Sequence, residues 1–182
     1  MPTTRRARHA ILPPMNRRNW LKLGMGSALV LAMGGGWVAS IAPGWRDGAF
    51  SADAQMVLRA CGKALLAGSL PADAAAESAA LDGLLQRLAD AVAALPPHAQ
   101  AELSELLALM GTSAGRQLLG GVSAPWQNAT VPQVQAGLQD MRFSRISLRQ
   151  QAYQALHDLT GAAYFSSPQT WTVLGYPGPR DL

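Results

Sequence analysis

The sequence predicts an all-α fold, a compact single-domain helical bundle preceded by a signal peptide or an N-terminal anchor. Three observations carry that expectation. From residue 51 onward, apolar residues recur at spacings of three and four, the signature of one helix face. Short polar residues that cap helices, and Gly or Pro that stop them, stand at the edges of those segments. No segment has a convincing alternation of β-branched residues, and several are rich in Ala, which favours helix.

The elements follow in order. Asn16-Arg17-Arg18-Asn19-Trp20-Leu21-Lys22 places two arginines, a bulky apolar pair and a lysine before an uncharged run. This is the layout of a twin-arginine export signal, an address read by the Tat translocase. Arg17, Arg18, Trp20, Leu21 and Lys22 are its recognition residues. The commonest form of the motif has Ser or Thr where Asn16 stands and Phe where Trp20 stands. Met15 lies just ahead and is a second candidate start. Leu23 to Trp45 carries no charge and exceeds the ~20 residues a membrane helix needs. Glycines 24, 26, 34, 35 and 36 within it lower its hydrophobicity and favour a signal over a permanent span. Two outcomes stay open, a cleaved leader and an uncleaved anchor. Residues 1–45 are read as the signal region and 46–182 as the helical domain.

Ser51 is placed to cap a first helix that runs to about Ala67 and is closed by Gly68 and Pro71. Asp73 caps a second, with Leu81, Leu84, Leu85, Leu88, Val92 and Leu95 on one face. Pro96-Pro97 ends it and opens a third, carrying Leu103, Leu106, Leu107 and Met110. Gly111 and Thr112-Ser113 punctuate, and a short helix reaches Gly120-Gly121. A loop with Trp126 leads to Thr130 and Pro132, the cap and first turn of a helix ending near Met141. Ser144 opens the longest late helix, with Ile146, Ala152, Tyr153, Leu156, Leu159 and Ala163 inward. Ser167-Pro168 starts a last short turn, Gln169 to Leu174, which Gly175 stops.

Charge narrows the function classes. Six of the fifteen Lys and Arg residues precede the apolar run, and none of the eleven acidic residues does. From Pro43 onward nine basic residues face eleven acidic ones, a net of −2. That domain lacks the basic patch of a nucleic-acid binder. Arg142, Arg145 and Arg149 fall at helical spacing and form a solvated or partner-facing strip. The single cysteine, Cys61, excludes an intrachain disulfide and reads as a small buried hydrophobe.

Catalytic groups are sparse, so no catalytic, cofactor-binding or metal-binding residue is assigned. His98 and His157 are far apart, and His157 beside Asp158 reads as a helix-end polar residue. Glu102 and Glu105 share a face and are most simply solvated. No metal-ligand spacing, haem-attachment motif, dinucleotide fingerprint or nucleophile elbow occurs. The C-terminal segment is more distinctive. Tyr164, Phe165, Trp171 and Tyr176 crowd there with Pro168, Pro177 and Pro179. Stiff aromatic surfaces of this kind anchor interfaces. Tyr164, Phe165, Trp171, Tyr176 and Pro177 are therefore the candidate partner-binding residues, and sealing of the chain's own core is an equal alternative.

The leader, the helical body and the ending from Ala163-Tyr164-Phe165-Ser166-Ser167-Pro168 through Trp171 to Gly175-Tyr176-Pro177-Gly178-Pro179 resemble the gluconate 2-dehydrogenase subunit 3-like proteins. The similarity extends from about Ser51 and includes Ala67-Gly68-Ser69-Leu70-Pro71. The resemblance implies a non-catalytic small subunit. It implies a partner, a large FAD-dependent catalytic subunit of the glucose-methanol-choline (GMC) type without an export signal of its own. It implies escort of that folded flavoprotein to the periplasm, its stabilisation, and its seating near a cytochrome c subunit. FAD is expected in the partner and no cofactor in this chain. The alternative is a periplasmic helical protein held at the inner membrane by an uncleaved leader and bound to an unrelated partner.

Overall fold

The computed structural model describes residues 41–168 together with Thr170, Trp171 and Gly175. They belong to one unit, Gly36–Leu182. Six helices occur among the described residues: α1 Ala52–Leu65, α2 Ala74–Ala93, α3 Pro97–Gly111, α4 Ser113–Leu118, α5 Val131–Arg142 and α6 Ser147–Phe165. The predicted all-α class is the observed one.

The helix starts arise locally. Ser51 stays extended, and its hydroxyl accepts from the Ala54 amide at 3.2 Å. Asp73 does the same for Ala76 at 2.8 Å. Thr112 caps α4 by accepting from Gly115 at 2.9 Å. At α5, Thr130 and Gln133 form a capping box, with the Thr130 amide donating to Gln133 Oε1 at 2.9 Å. Each cap satisfies a first-turn amide that has no partner inside its own helix.

The first helix is the centre of the packing. It lies against α2, α3, α5 and α6, while α2 also packs on α6 and α5 on α6. Ala54, Val57, Leu58, Cys61, Gly62 and Ala64 are its buried residues, and their small average size lets four helices approach. Leu84, Leu88, Leu107, Met110, Met141 and Leu156 are wholly buried around it. Burying such a side chain contributes about 2 kcal/mol.

The structure departs from the sequence reading in three places. Trp45–Arg46 (β1) and Ala49–Phe50 (β2) form a short antiparallel hairpin where no strand was predicted. Asp47 and Gly48 both take positive φ, 52° and 80°, as a two-residue type I′ turn requires. Trp45, the last residue of the predicted leader, packs at 4.7 Å on Phe50 within the core. Its amide donates to Ser104 Oγ of α3, and that hydroxyl donates back to the Trp45 carbonyl, both at 3.0 Å.

The second difference concerns Ile146, predicted to face inward. It is the N-cap of α6 and lies 59 % exposed. The chain leaves α5 at Arg142 and turns before α6 begins, so Ile146 is out of phase with the helix. Ser144 still organises the entry, accepting from the Ile146 amide at 3.1 Å.

The third is the arginine strip. Arg142 ends α5, Arg145 lies in the connection and Arg149 sits on α6, so the helical spacing belongs to no single helix.

Candidate functional site

The C-terminal end of α6 leaves carbonyls without intrahelical donors. Distant and following side chains supply them, among them Ser166, whose hydroxyl donates to the Ala163 carbonyl at 2.9 Å. Arg87 of α2 donates through Nε to the Ala163 carbonyl at 2.7 Å. The cation also lies favourably at the negative end of the helix dipole. The Thr170 hydroxyl is 3.0 Å from the Tyr164 carbonyl and 2.7 Å from that of Ser167. Trp171 Nε1 donates to the Phe165 carbonyl at 2.8 Å. The segment beyond α6 thus folds back over the end of its own helix.

Of the five predicted partner-binding residues, the structure brings three together. Tyr164 is 4 % exposed, and its hydroxyl donates to the Ser69 carbonyl of the loop after α1 at 2.6 Å. Phe165 packs edge-on against it, with centroids 5.1 Å apart and planes at 83°. Tyr164 therefore seals the core, while Phe165 and Trp171 are half-buried and keep an outward face. Tyr176 and Pro177 lie outside the described residues. So do Arg17, Arg18, Trp20, Leu21 and Lys22 of the expected export motif.

The titratable groups are dispersed. His157 Nδ1 lies 3.0 Å from Asp158 Oδ1, and the imidazole stacks on Tyr153 at 5.6 Å. Both His157 and Asp158 are more than half exposed. His98 is exposed at the start of α3. Glu102 is half-buried and Glu105 exposed on the same helix. Cys61 is buried, and loss of hydration for a thiolate pushes its pKa up to about 12. Among the described residues, no three of His, Cys, Asp and Glu are placed to hold a metal ion. No described helix is long and apolar enough to cross a membrane.

The described residues form, among others, two open surface grooves. One, of about 540 Å³, lies between the hairpin and α3, beside Arg46, Gln100 and Glu105. The other, of about 480 Å³, lies between α1, α2 and the Trp126 loop. Its charged groups are taken up in ion pairs, Lys63 with Glu77 at 2.6 Å and Arg59 with Asp82. In the first, the Ser104 hydroxyl is taken up by its two bonds to the Trp45 backbone.

A further surface went unread in the sequence. Leu118, Phe143 and Ile146 are 79 %, 74 % and 59 % exposed. Arg149 ties their chain segments together. It donates through Nε to the Leu119 carbonyl at 3.0 Å and pairs with Asp140 at 2.9 Å. Its own amide donates to the Ile146 carbonyl at 3.0 Å. Arg142 lies over the Phe143 ring, 5.2 Å from the centroid. A sequence signal existed for Phe143, which falls between the helix ending near Met141 and the one read as opening at Ser144, where an apolar side chain has no helix face to join.

No family model, curated protein or solved structure matches the chain.

Proposed function

We propose that this chain is the non-catalytic small subunit of a periplasmic, FAD-dependent dehydrogenase of the GMC type. In this reading it escorts the folded catalytic subunit through the twin-arginine route and stabilises it afterwards. The observation that carries the reading is the joint presence of two sequence features. One is the Arg17-Arg18 leader with Trp20, Leu21 and Lys22. The other is the Tyr164-to-Pro179 ending, which resembles the gluconate 2-dehydrogenase subunit 3-like proteins.

The chemistry of the two features is consistent. A flavoprotein binds FAD as it folds, so a route for folded cargo suits it, and one address can serve a two-chain complex. The flavin and the substrate would belong to the partner, with a cytochrome c subunit as electron acceptor. In support, two half-buried aromatic side chains are held in place, Trp171 by its indole bond to the Phe165 carbonyl and Phe165 by edge-on packing against Tyr164. Little side-chain entropy remains to be lost when such a pair is covered. A retained leader would keep the complex at the inner membrane.

The test is affinity purification of the tagged full chain from periplasm, with an absorbance scan for flavin. A yellow large subunit should accompany it. Both should vanish from the periplasm when Arg17 and Arg18 are changed together to Lys. A colourless protein without a large companion would overturn the proposal.

A further inference from the structure

The geometry assigns Gly44 as the first residue of the folded domain and confines removal of the leader to peptide bonds ahead of it. This rests on the export part of the proposed function, which supplies a leader to remove. Hydrolysis would add water across one such bond, leaving a carboxylate on the leader and an amine on the domain.

A leader peptidase reads a small residue, any residue and a second small residue before the cut. Around the start of the domain that pattern recurs at Ser40-Ile41-Ala42, Ala42-Pro43-Gly44, Ala49-Phe50-Ser51 and Ala52-Asp53-Ala54. Spacing does not choose among them, but burial and hydrogen bonding of the backbone do.

The last three are closed. The Gly44 amide donates to the Ser104 carbonyl at 3.2 Å, and its carbonyl accepts from the Ser51 amide at 2.9 Å. A Cβ on Gly44 would stand 2.7 Å from both Leu107 Cβ and the Ser104 carbonyl, so the backbone itself lies against α3. Next to it, the Trp45 amide and carbonyl are both bound to Ser104 Oγ at 3.0 Å, and its indole donates to Gln100 Oε1 at 3.1 Å. Trp45 and Phe50, at the two ends of the hairpin, are each 7 % exposed. Ala54 is wholly buried in the first turn of α1, and its amide is held by Ser51 Oγ. The Gln55 amide donates to the Ser51 carbonyl at 2.9 Å, and its side chain to the Phe50 carbonyl at 3.0 Å. Cutting after Gly44 or Ser51 requires the hairpin to be prised from α3. Cutting after Ala54 requires the start of the central helix to unwind. A route that carries folded chains delivers these bonds already closed. Ala42, by contrast, is exposed.

The experiment recovers the full chain, tagged at its C-terminus, from periplasm and reads its N-terminus by intact mass and N-terminal sequencing. Every chain is expected to begin at or before Gly44, whether the leader is retained or removed. A chain beginning at Trp45, Ala52 or Gln55 would overturn the assignment. Absence of the chain from periplasm would overturn the export reading alone, so a second measurement reads the boundary without export. The purified full chain is digested with elastase, which cuts after small residues. The bonds after Gly44, Ser51 and Ala54 are expected to be cut at least about tenfold more slowly in the folded chain than in urea, because cleavage follows the population of the opened segment. Equal rates would overturn the assignment. Ser104→Ala removes both bonds to Trp45 and is expected to speed those cuts in the folded chain about tenfold. Circular dichroism checks that it folds, and Gln100→Ala, which loses the indole bond, replaces it if it does not. Cutting of a folded variant at the wild-type rate would overturn the hairpin's part in closing the three bonds.

Discussion

Changing Gly137 to Ala should destabilise the chain, whereas the same change at Gly161 should stabilise it. Both glycines are inside helices, in α5 and α6. A methyl group on Gly137 would stand 2.4 Å from the Gly120 carbonyl oxygen and 2.9 Å from Val122 Cγ2. The carbonyl is backbone and cannot rotate away. Its segment is also anchored, because Gly120 donates to the Gly115 carbonyl at 3.1 Å and Val122 to that of Arg116 at 3.1 Å. Overpacking of this kind costs up to about 3 kcal/mol. The gain in helix propensity from Gly to Ala offsets about 1 kcal/mol of that. The net loss is about 2 kcal/mol, or about 6 °C in Tm for a chain of this size. At Gly161 nothing lies within 4 Å of the added methyl. The propensity gain then stands alone, at about 1 kcal/mol and about 3 °C upward. Thermal melts of the two full-length variants, followed by far-ultraviolet circular dichroism, read both values. Propensity cancels in their difference, which isolates the α5 contact. Equal Tm values for the two variants would refute the reasoning.

Three further outcomes are expected. Cys61 should resist alkylation in the folded chain, because burial holds its thiol neutral up to about pH 12. An unfolded chain ionises it near the usual 9.0, so this group stabilises the fold below pH 9 and loses that effect as pH rises toward 12. Urea midpoints of wild type and Cys61→Ala, compared across that window, should show the steeper alkaline loss in wild type. Trp126→Phe removes the indole donor that meets the Met110 carbonyl at 2.8 Å, leaving a buried acceptor unpaired. The expected loss is about 2 kcal/mol, read from the urea midpoint. Tyr164→Phe removes the 2.6 Å bond to Ser69 and should cost about 1 kcal/mol, again by urea unfolding. Because that hydroxyl points inward, flavin retained by the tagged chain should not change.

What was legible in the sequence was local. Ser51, Asp73 and Thr130 each cap the helix that begins right after them, so their roles could be read from spacing, whereas the Gln133 half of the Thr130 cap came from the structure. The inward Leu series of α2 obeys helical periodicity for the same reason, and Leu81, Leu84, Leu88 and Val92 are buried as expected. Asp47-Gly48 carried a local hairpin signal too. The strands were not read there because a two-residue strand is too short to show alternation, and the hairpin is tied down by Ser104, 59 residues from Trp45.

The candidate site divides along the same line. The crowding of Tyr164, Phe165 and Trp171 could be seen in the chain, but which of them faces inward could not. Tyr164 is turned in by a carbonyl 95 residues earlier, and the end of its helix is held by Arg87, 76 residues earlier. Arg149 looked like one of three surface cations until the fold brought Leu119 and Asp140 within its reach. By itself, then, the sequence determined most of the helices and their caps and the buried thiol, because short-range hydrogen bonding and periodicity are written in neighbouring residues. The tertiary structure alone decided which aromatics seal the core and which apolar groups stand in solvent. Those outcomes depend on partners that only chain folding makes adjacent.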